Sequence, residues 1–237
     1  MHILYSTLQS AYGILPESLR LRIHRNSVLK RLKSTGQRFL LGNHQYMYNA
    51  TYYACVDGDA MRSRDPMSES IIADLKPRTL IDAGCGTGAL MEAIRDRGVE
   101  TCGLEYSDAG LVRCRQRGLT VRPYNILRDA IPGDLTERDV AISFEVAEHL
   151  PESGADRLVD LLCGLSNVVV FSAAEPGQGG NEHLNEQPHA YWIAKFASRG
   201  WQFDRSLSEA WRQQWTERQV AWFYTANLMI FRKQPAA

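Results

Sequence analysis

The pattern of hydrophobic and polar positions changes at about Ser68. From there on, short apolar segments, which predict β-strands, alternate with segments whose apolar residues recur every three or four positions, which predict α-helices. Strands are predicted at 79–83, 99–105, 119–122, 139–143, 167–172, 201–204 and near 223–232. Helices are predicted at 68–75, 88–97, 108–117, 152–164 and 189–199. This alternation favours an α/β fold with helices on both faces of a mainly parallel sheet.

The first 40 residues have a different, helical pattern. Leu15, Leu19 and Ile23 lie four positions apart and begin an apolar stripe. Between Glu17 and Arg38 there are seven basic residues and no acidic residue except Glu17. A solvated helix face is the simpler interpretation of this charge. The alternative is a docking surface for an acidic partner, for a phosphorylated substrate or, as a peripheral contact, for a membrane.

Composition narrows the class of protein. The chain has 237 residues, of which 44% are hydrophobic and 23% charged, with a formal net charge of zero. These values are ordinary for a globular protein and give no electrostatic reason to expect nucleic acid as a partner. The chain has five cysteines but no C-x-x-C pair, and it shows no signal-peptide pattern and no apolar run of transmembrane length. These features favour a cytoplasmic protein with reduced thiols. Residues 57–66 resemble a loop, so we divide the chain into an N-terminal helical segment, 1–66, and an α/β domain, 67–237.

A glycine-rich loop follows the first predicted strand and opens the next helix. It contains Gly84, Gly86 and Gly88. Glycine permits a tight turn and lets a ligand approach the backbone without a Cβ in the way. Glu105 ends the second predicted strand, where its carboxylate can accept hydrogen bonds from both ribose hydroxyls of an adenosine group.

The loop by itself leaves two kinds of adenosine-bearing ligand open. The first two glycines together with Ala89 also satisfy the dinucleotide fingerprint, which permits a nicotinamide cofactor. Three features favour an adenosine-bearing ligand other than a dinucleotide. They are the tighter spacing to Gly88, the position of Asp82 ahead of the first glycine and the downstream stretch Asp139–Leu150.

These motifs resemble those of the class I S-adenosylmethionine-dependent methyltransferases. Leu80–Gly88 is similar to the family's first motif, Gly103–Glu105 to its ribose-binding acid and Asp139–Glu145 to its fourth-strand motif beside the methyl group. Tyr124–Ile126 resembles the adenine-contacting position, although the family more often has Asp where this chain has Asn125. The resemblance implies S-adenosylmethionine as the cofactor, bound by Asp82, Gly84, Cys85, Gly86, Gly88, Glu105, Tyr106, Asn125, Ile126, Phe144 and Glu145.

The same resemblance implies a Rossmann-like, seven-stranded, mostly parallel sheet whose last strand is antiparallel. It also implies that the N-terminal segment forms a helical lid over the substrate site, with Tyr46, Tyr53 and Arg64 as candidate lining residues. In the C-terminal part, Trp222 is expected to pack in the core. Core packing is also favoured for Trp211, with the face of a docking helix or stacking on a sugar or planar substrate as the alternatives.

The segment from Glu145 to His149 is a second informative stretch. On one helical turn, Glu145, Glu148 and His149 would share a face, and two carboxylates with an imidazole suit Mg²⁺ or Mn²⁺. The segment resembles that of two metal-dependent groups of this fold, the ubiquinone-pathway O-methyltransferases and the small-RNA 2′-O-methyltransferases. The second group takes a further histidine from after strand 5, for which His183 and His189 are the candidates. The alternative is a metal-free site in which Glu145 contacts the cofactor's amino group and His149 is packed behind it.

The polar loop from Pro176 to His189 follows the predicted fifth strand, where binding residues tend to lie. Within it, His183 is a candidate general base or metal ligand. We therefore predict catalytic roles for His149, His183 and Glu145, and a metal site formed by these three residues with Glu148.

The predicted activity is methyl transfer to a hydroxyl group of a small molecule: a sugar, a polyol or a natural product. RNA 2′-O-methylation is the first alternative, because the metal segment resembles that of the small-RNA enzymes. N-methylation of a small molecule is less favoured, since no Asn/Asp-Pro-Pro-Tyr/Phe segment occurs. A non-catalytic binding module is the remaining alternative, and the intact glycine loop argues against it.

Overall fold

The structure, a computed structural model, describes residues 48–180 and 183–235. The predicted basic helix and Tyr46 lie outside these residues. The helices are α1 (Ala50–Ser70, continued by one π-helical turn, Ile71–Leu75), α2 (Ala89–Arg95), α3 (Asp108–Gln116), α4 (Ala155–Leu165), α5 (His189–Ala197), α6 (Arg205–Glu217) and α7 (Trp222–Asn227). The strands are β1 (Thr79–Ala83), β2 (Glu100–Glu105), β3 (Val121–Pro123), β4 (Val140–Phe144), β5 (Val168–Ser172), β6 (Trp201–Phe203) and β7 (Met229–Lys233).

The seven strands form one sheet in the order β3-β2-β1-β4-β5-β7-β6. Strands β1 to β5 run parallel to one another, whereas β7 runs antiparallel to both β5 and β6. This confirms the predicted fold class, including the antiparallel last strand. Because the chain order reverses between β1 and β4, a crevice opens at the carboxyl ends of these strands, which is where ligands bind in open α/β sheets.

Two hydrophobic layers cover the sheet. On one face α4 and α5 contribute side chains such as Leu158, Trp192 and Phe196. On the other face α1, α2 and α6 contribute side chains such as Ile94 and Trp211. The central strands are therefore buried on both sides, which explains why they read as nearly continuous apolar runs rather than as alternating patterns.

Helix α1 corrects the prediction of a loop at 57–66. It runs through the whole of this segment and ends at Ser70. Its sequence contains many charged residues and Pro66, so local propensity argues against a helix, but α1 packs along α2 and forms an ion pair with it through Arg64 and Glu92. Tertiary contacts thus override the local signal. The division at residue 66 falls inside α1 and stays a prediction.

The C-terminal part also differs from its predicted pattern. The segment before β7 forms α7, and Trp222 at its start is 63% exposed rather than part of the core. Trp211, on α6, is buried as expected, and its indole N–H donates to Asp74 at 2.6 Å. Among the helices of 48–180 and 183–235, none combines the length and the apolar character needed to cross a bilayer.

Candidate active site

A cavity of about 830 Å³ lies at the carboxyl ends of β1, β2 and β4. Its wall contains every predicted cofactor-binding residue except Gly88. It also contains Glu148, His149 and His183 from the predicted metal and catalytic sets. The structure therefore brings the glycine loop and the Glu145–His149 segment to one shared space.

Gly88 does not line the cavity, and its predicted role as a cofactor contact stays a prediction. It caps the N-terminus of α2 with a φ of 75°, a conformation that favours glycine. A Cβ at this position would lie 2.4 Å from Leu119 Cδ1 and 2.9 Å from Cys114 Sγ. Gly88 is thus required for close packing of α2 on its neighbours, whereas Gly84 and Gly86 line the cavity.

The carboxylate of Glu105 is fixed at the end of β2 by three donors. The backbone N–H of Gly86 donates to Oε2 at 2.7 Å, and that of Ser107 donates to Oε1 at 2.7 Å. The Tyr53 hydroxyl donates to Oε1 at 3.3 Å. Burial raises the pKa of Glu105, and burial followed by the nearby Glu105 raises the pKa of Tyr53, so Tyr53 remains a protonated donor. Tyr53, predicted to line the substrate site, contacts the proposed ribose acid.

Asp82 lies at the end of β1 and is 6% exposed. Burial, reinforced by the charge of Glu105, raises the pKa of Asp82 to about 8. A positively charged group of a ligand would favour the ionised form of this carboxylate. This end of the cavity therefore suits the ammonium or sulfonium group of a ligand.

Glu145 does not share a helical turn with Glu148 and His149, which corrects the predicted arrangement. Its backbone has a φ of 52°, and only Ala147–His149 form a single 3₁₀ turn. The Glu145 carboxylate accepts hydrogen bonds from Ser172 (2.8 Å), Gln178 (2.9 Å) and Asn227 (3.0 Å). It therefore joins β4 to the loop after β5 and to α7.

Three of the four predicted metal ligands do converge. One ligand atom from each of Glu148, His149 and His183 lies within 4.8 Å of the others, and Glu145 is outside this set. Glu148 is fully buried, and neither of its carboxylate oxygens has a hydrogen-bonding partner among the described residues. Burial, followed by the proximity of Glu145, raises the pKa of Glu148.

The structure also separates the two candidate histidines of the polar loop. His183 is 8% exposed, and its Nδ1 lies 3.1 Å from Glu186 Oε1, which orients the ring. His189 begins α5 and faces Arg212, whose guanidinium nitrogen is 3.3 Å from its Nδ1. His183 therefore joins the carboxylate–imidazole cluster and His189 does not.

Several residues of this site escaped the sequence analysis. Asn227 and Gln178 hold Glu145, and Asn227 also donates to Gln178 at 2.7 Å. Trp222, Phe223 and Tyr224 of α7 line the cavity. The polarity of the 176–189 loop indicated that it carries functional residues, but no local signal identified α7, because its role arises from packing against β4 and β5.

Comparison with known proteins agrees with this geometry. Residues 69–138 match the family model described as "Methionine biosynthesis protein MetW". The ubiquinone biosynthesis O-methyltransferase of Methylococcus capsulatus is 36% identical over 86 residues, which are 33% of this chain and 35% of that protein. Its counterpart in Stutzerimonas stutzeri is 32% identical over 126 residues, covering 51% of this chain and 50% of that protein. The chain thus spans half or less of the length of these curated relatives.

Solved structures cover more of the chain at lower identity. Magnesium protoporphyrin IX methyltransferase (ChlM) from Synechocystis PCC 6803 with bound SAH has a TM-score of 0.57 at 15% identity, covering 92% of this chain and 100% of that one. SAM-bound CalS10, an amino pentose methyltransferase from Micromonospora echinaspora, has a TM-score of 0.57 at 16% identity, covering 81% and 100%. The methyltransferase domain of bacterial CtHen1-C has a TM-score of 0.54 at 16% identity, covering 74% and 100%. The chain therefore has the Rossmann-like fold of these S-adenosylmethionine-dependent methyltransferases.

Proposed function

We propose that the chain transfers the methyl group of S-adenosylmethionine to a hydroxyl group of a small molecule, with the help of a divalent cation. The observation that carries this proposal is the shared cavity. The glycine loop and Glu105 line it, and so do Glu148, His149 and His183. The same cavity thus provides a site for an adenosine-bearing methyl donor and one for the acceptor hydroxyl.

The residues of the cofactor half have distinct roles. Glu105 is held so that its remaining lone pairs accept hydrogen bonds from the ribose hydroxyls. Asn125 and Ile126 line the cavity beyond β3, where an adenine ring would lie. The carboxylate of Asp82 would pair with the positively charged ammonium group at the amino-acid end of the donor. When bound, S-adenosylmethionine supplies a methyl group on a sulfonium, a leaving group that needs no further activation.

The acceptor half fits a divalent cation. One carboxylate and two imidazoles supply the O and N ligands that Mn²⁺ accepts, and the unpartnered oxygens of Glu148 are costly in a protein interior unless a cation or a proton satisfies them. Glu186 orients His183 in the manner of a carboxylate behind a metal-binding histidine. A divalent cation held there would act as a Lewis acid on the acceptor hydroxyl. With or without it, His149 and His183 are the groups placed to receive the hydroxyl proton.

The size of the cavity favours a small acceptor. About 830 Å³ must hold both the methyl donor and the group that receives the methyl. RNA 2′-O-methylation is the alternative that the Glu148–His149–His183 cluster supports, whereas the net charge of zero gives no electrostatic attraction for a polyanion. The choice among sugar, polyol and natural-product acceptors, and a cytoplasmic location, stay predictions.

Calorimetry and a methyl-transfer assay test the proposal together. Calorimetry should show binding of S-adenosylhomocysteine, and labelled S-adenosylmethionine should transfer its methyl group to hydroxyl acceptors in a reaction that excess EDTA stops. Glu148→Gln should weaken Mn²⁺ binding by at least about tenfold. The exposed neighbour Glu152→Gln should leave it unchanged.

Each part of the proposal has its own refutation. Full activity in excess EDTA would exclude the metal but not the methyl transfer. Failure to bind S-adenosylhomocysteine would contradict the enzyme assignment and favour a non-catalytic binding module. Transfer to RNA with a steep loss of binding at higher salt would replace the small-molecule acceptor by RNA.

A further inference from the structure

Helix α7 is held in place at both of its ends. At its start, the backbone N–H of Ala221 donates to Ser63 Oγ of α1 at 3.0 Å, and Ser63 is fully buried. At its end, the side chain of Asn227 donates to Glu145 at 3.0 Å. The helix therefore bridges α1 and the end of β4, and these contacts fix its position at the cavity.

Trp222, the first residue of α7, is exposed although the helix that carries it is fixed. It is 63% exposed and lines the cavity, whereas the other four tryptophans of the chain are each at most 6% exposed. Leaving most of an indole in water forgoes the stabilisation that burial of its large apolar surface would give. A ligand that covers Trp222 from the cavity would recover this stabilisation.

A second exposed apolar residue lines the same cavity. It is Val56 of α1, which is 37% exposed. In the part of the chain that the structure describes, only two other large hydrophobic residues are as exposed, Val112 and Ile131, and neither lines the cavity. Two side chains offer far less area than a stable protein interface, which buries about 800 Å² per partner. The occupant that they suit is therefore a small molecule.

Trp222 belongs to the acceptor half of the cavity. The proposed donor site is formed by the glycine loop and Glu105 at the ends of β1 and β2, whereas α7 is joined to Glu145 at the end of β4. Next to Trp222, the ring of Phe223 also lines the cavity, and the two ring centroids are 6.0 Å apart in a T-shaped contact. This aromatic pair offers no carboxylate or amide to the hydroxyls of a sugar, whereas a planar apolar ring stacks on an indole without any hydrogen bond.

We propose that the acceptor carries a planar, apolar ring system in addition to the hydroxyl that is methylated, and that Trp222 selects it by stacking on this ring. The inference rests on the proposed function, because it assumes that the acceptor enters the cavity that holds the methyl donor. Among sugars, polyols and natural products, it selects natural products with an aromatic or fused-ring body. Trp222 itself takes no part in proton or methyl transfer.

Acrylamide quenching of tryptophan fluorescence in the full chain tests this inference directly. Because the other four tryptophans are buried, Trp222 should account for the readily quenched part of the emission, and Trp222→Phe should abolish that part. Three probes are then compared in the presence of saturating S-adenosylhomocysteine: phenyl β-D-glucopyranoside, methyl β-D-glucopyranoside and sorbitol. The phenyl glucoside should protect Trp222 from acrylamide at concentrations about tenfold lower than the methyl glucoside, because only the phenyl glucoside has an apolar ring to stack. Sorbitol should not protect it.

Calorimetry on three variants makes the test specific. Trp222→Ala should weaken binding of the phenyl glucoside by about tenfold, and Trp222→Phe should weaken it less, because phenylalanine keeps a flat ring. Val112→Ala is the matched control, since Val112 is an exposed apolar residue of α3 outside the cavity, and it should bind the phenyl glucoside as the wild type does. The Kd of S-adenosylhomocysteine should be equal in all four proteins.

The outcomes separate the inference from the proposed function. If S-adenosylhomocysteine binds but the phenyl glucoside protects Trp222 no better than the methyl glucoside or sorbitol, the inference is overturned. If no part of the emission that depends on Trp222 is quenched in the ligand-free protein, another part of the chain or a second copy already covers the indole, and the inference is also overturned. If Trp222→Ala weakens S-adenosylhomocysteine and the phenyl glucoside equally, Trp222 only maintains the fold. If the wild type does not bind S-adenosylhomocysteine, the proposed function itself fails and the inference fails with it.

Discussion

Replacing Asp82 by Asn should change how the stability of the ligand-free protein depends on pH. The pKa of Asp82 is about 8 in the folded chain, against an ordinary value of 3.8, because burial and then the charge of Glu105 disfavour ionisation. Between these values the unfolded chain has released this proton and the folded chain retains it. The free energy of unfolding therefore falls as the pH rises from about 4 to about 8, and becomes constant with respect to Asp82 above that.

The size of the effect follows from the width of this window. Each pH unit within it costs about 1.36 kcal/mol, so from pH 5 to pH 7 the wild type loses up to roughly 2.7 kcal/mol relative to Asp82→Asn. Relaxation of the cavity and entry of water reduce this figure, so roughly 2.7 kcal/mol is the upper bound of the expected difference. The other buried carboxylates are present in both proteins, so the difference between them reports the titration of Asp82 together with its electrostatic coupling to Glu105.

Urea denaturation at pH 5, 6 and 7 without ligand measures this difference. Asp82→Asn should gain stability over the wild type as the pH rises, and Asp96→Asn should follow the wild type, because Asp96 is a mostly exposed residue paired with Arg95. Parallel pH profiles of wild type and Asp82→Asn would refute the reasoning. A second measurement uses S-adenosylhomocysteine, whose ammonium group should favour the ionised form of Asp82. The wild type should therefore bind S-adenosylhomocysteine more tightly at pH 8 than at pH 6, and Asp82→Asn should not show this trend.

Two further predictions concern the glycine loop and the imidazole cluster. Gly88→Ala should lower the free energy of unfolding in urea by about 2–3 kcal/mol, because the new Cβ combines a positive φ with a clash against Leu119. The control Gly98→Ala should lower it by only about 1 kcal/mol, because Gly98 has a φ of 90° but open space around it. Equal losses in the two variants would contradict the packing role of Gly88. His183→Ala should weaken Mn²⁺ binding by about tenfold to a hundredfold, and His189→Ala should not change it; the reverse order would return His189 to the metal site.

The sheet and the cofactor half of the cavity were largely predictable from the sequence. The strands lie where the apolar runs predicted them, with boundaries shifted by one or two residues in most cases, because a strand buried on both faces needs a continuous apolar segment. Gly84, Gly86 and Glu105 were identified because a tight turn after a strand and an acid at a strand end are local requirements. The parallel order of the sheet then brings them together.

Helix α1 and helix α7 show where local signals were insufficient. Charge and Pro66 obscured the sequence signal of α1, which is stabilised by ion pairs with Glu92 of α2 and Arg113 of α3. Helix α7 is joined to the end of β4 by the hydrogen bond that Asn227 donates to Glu145, and these two residues are 82 positions apart in the chain. No pattern within a short window contains such a contact.

The sequence by itself determined the fold class, the glycine-rich loop after the first strand and the residue types available for chemistry, because hydrophobic periodicity and glycine requirements act over a few neighbouring residues. The tertiary structure decided which of those residues meet. It left Glu145 outside the Glu148–His149–His183 cluster, brought His183 rather than His189 into it and placed Arg64 at the cavity wall. These outcomes depend on side chains that are distant in the chain and become neighbours only when the sheet and its helices pack.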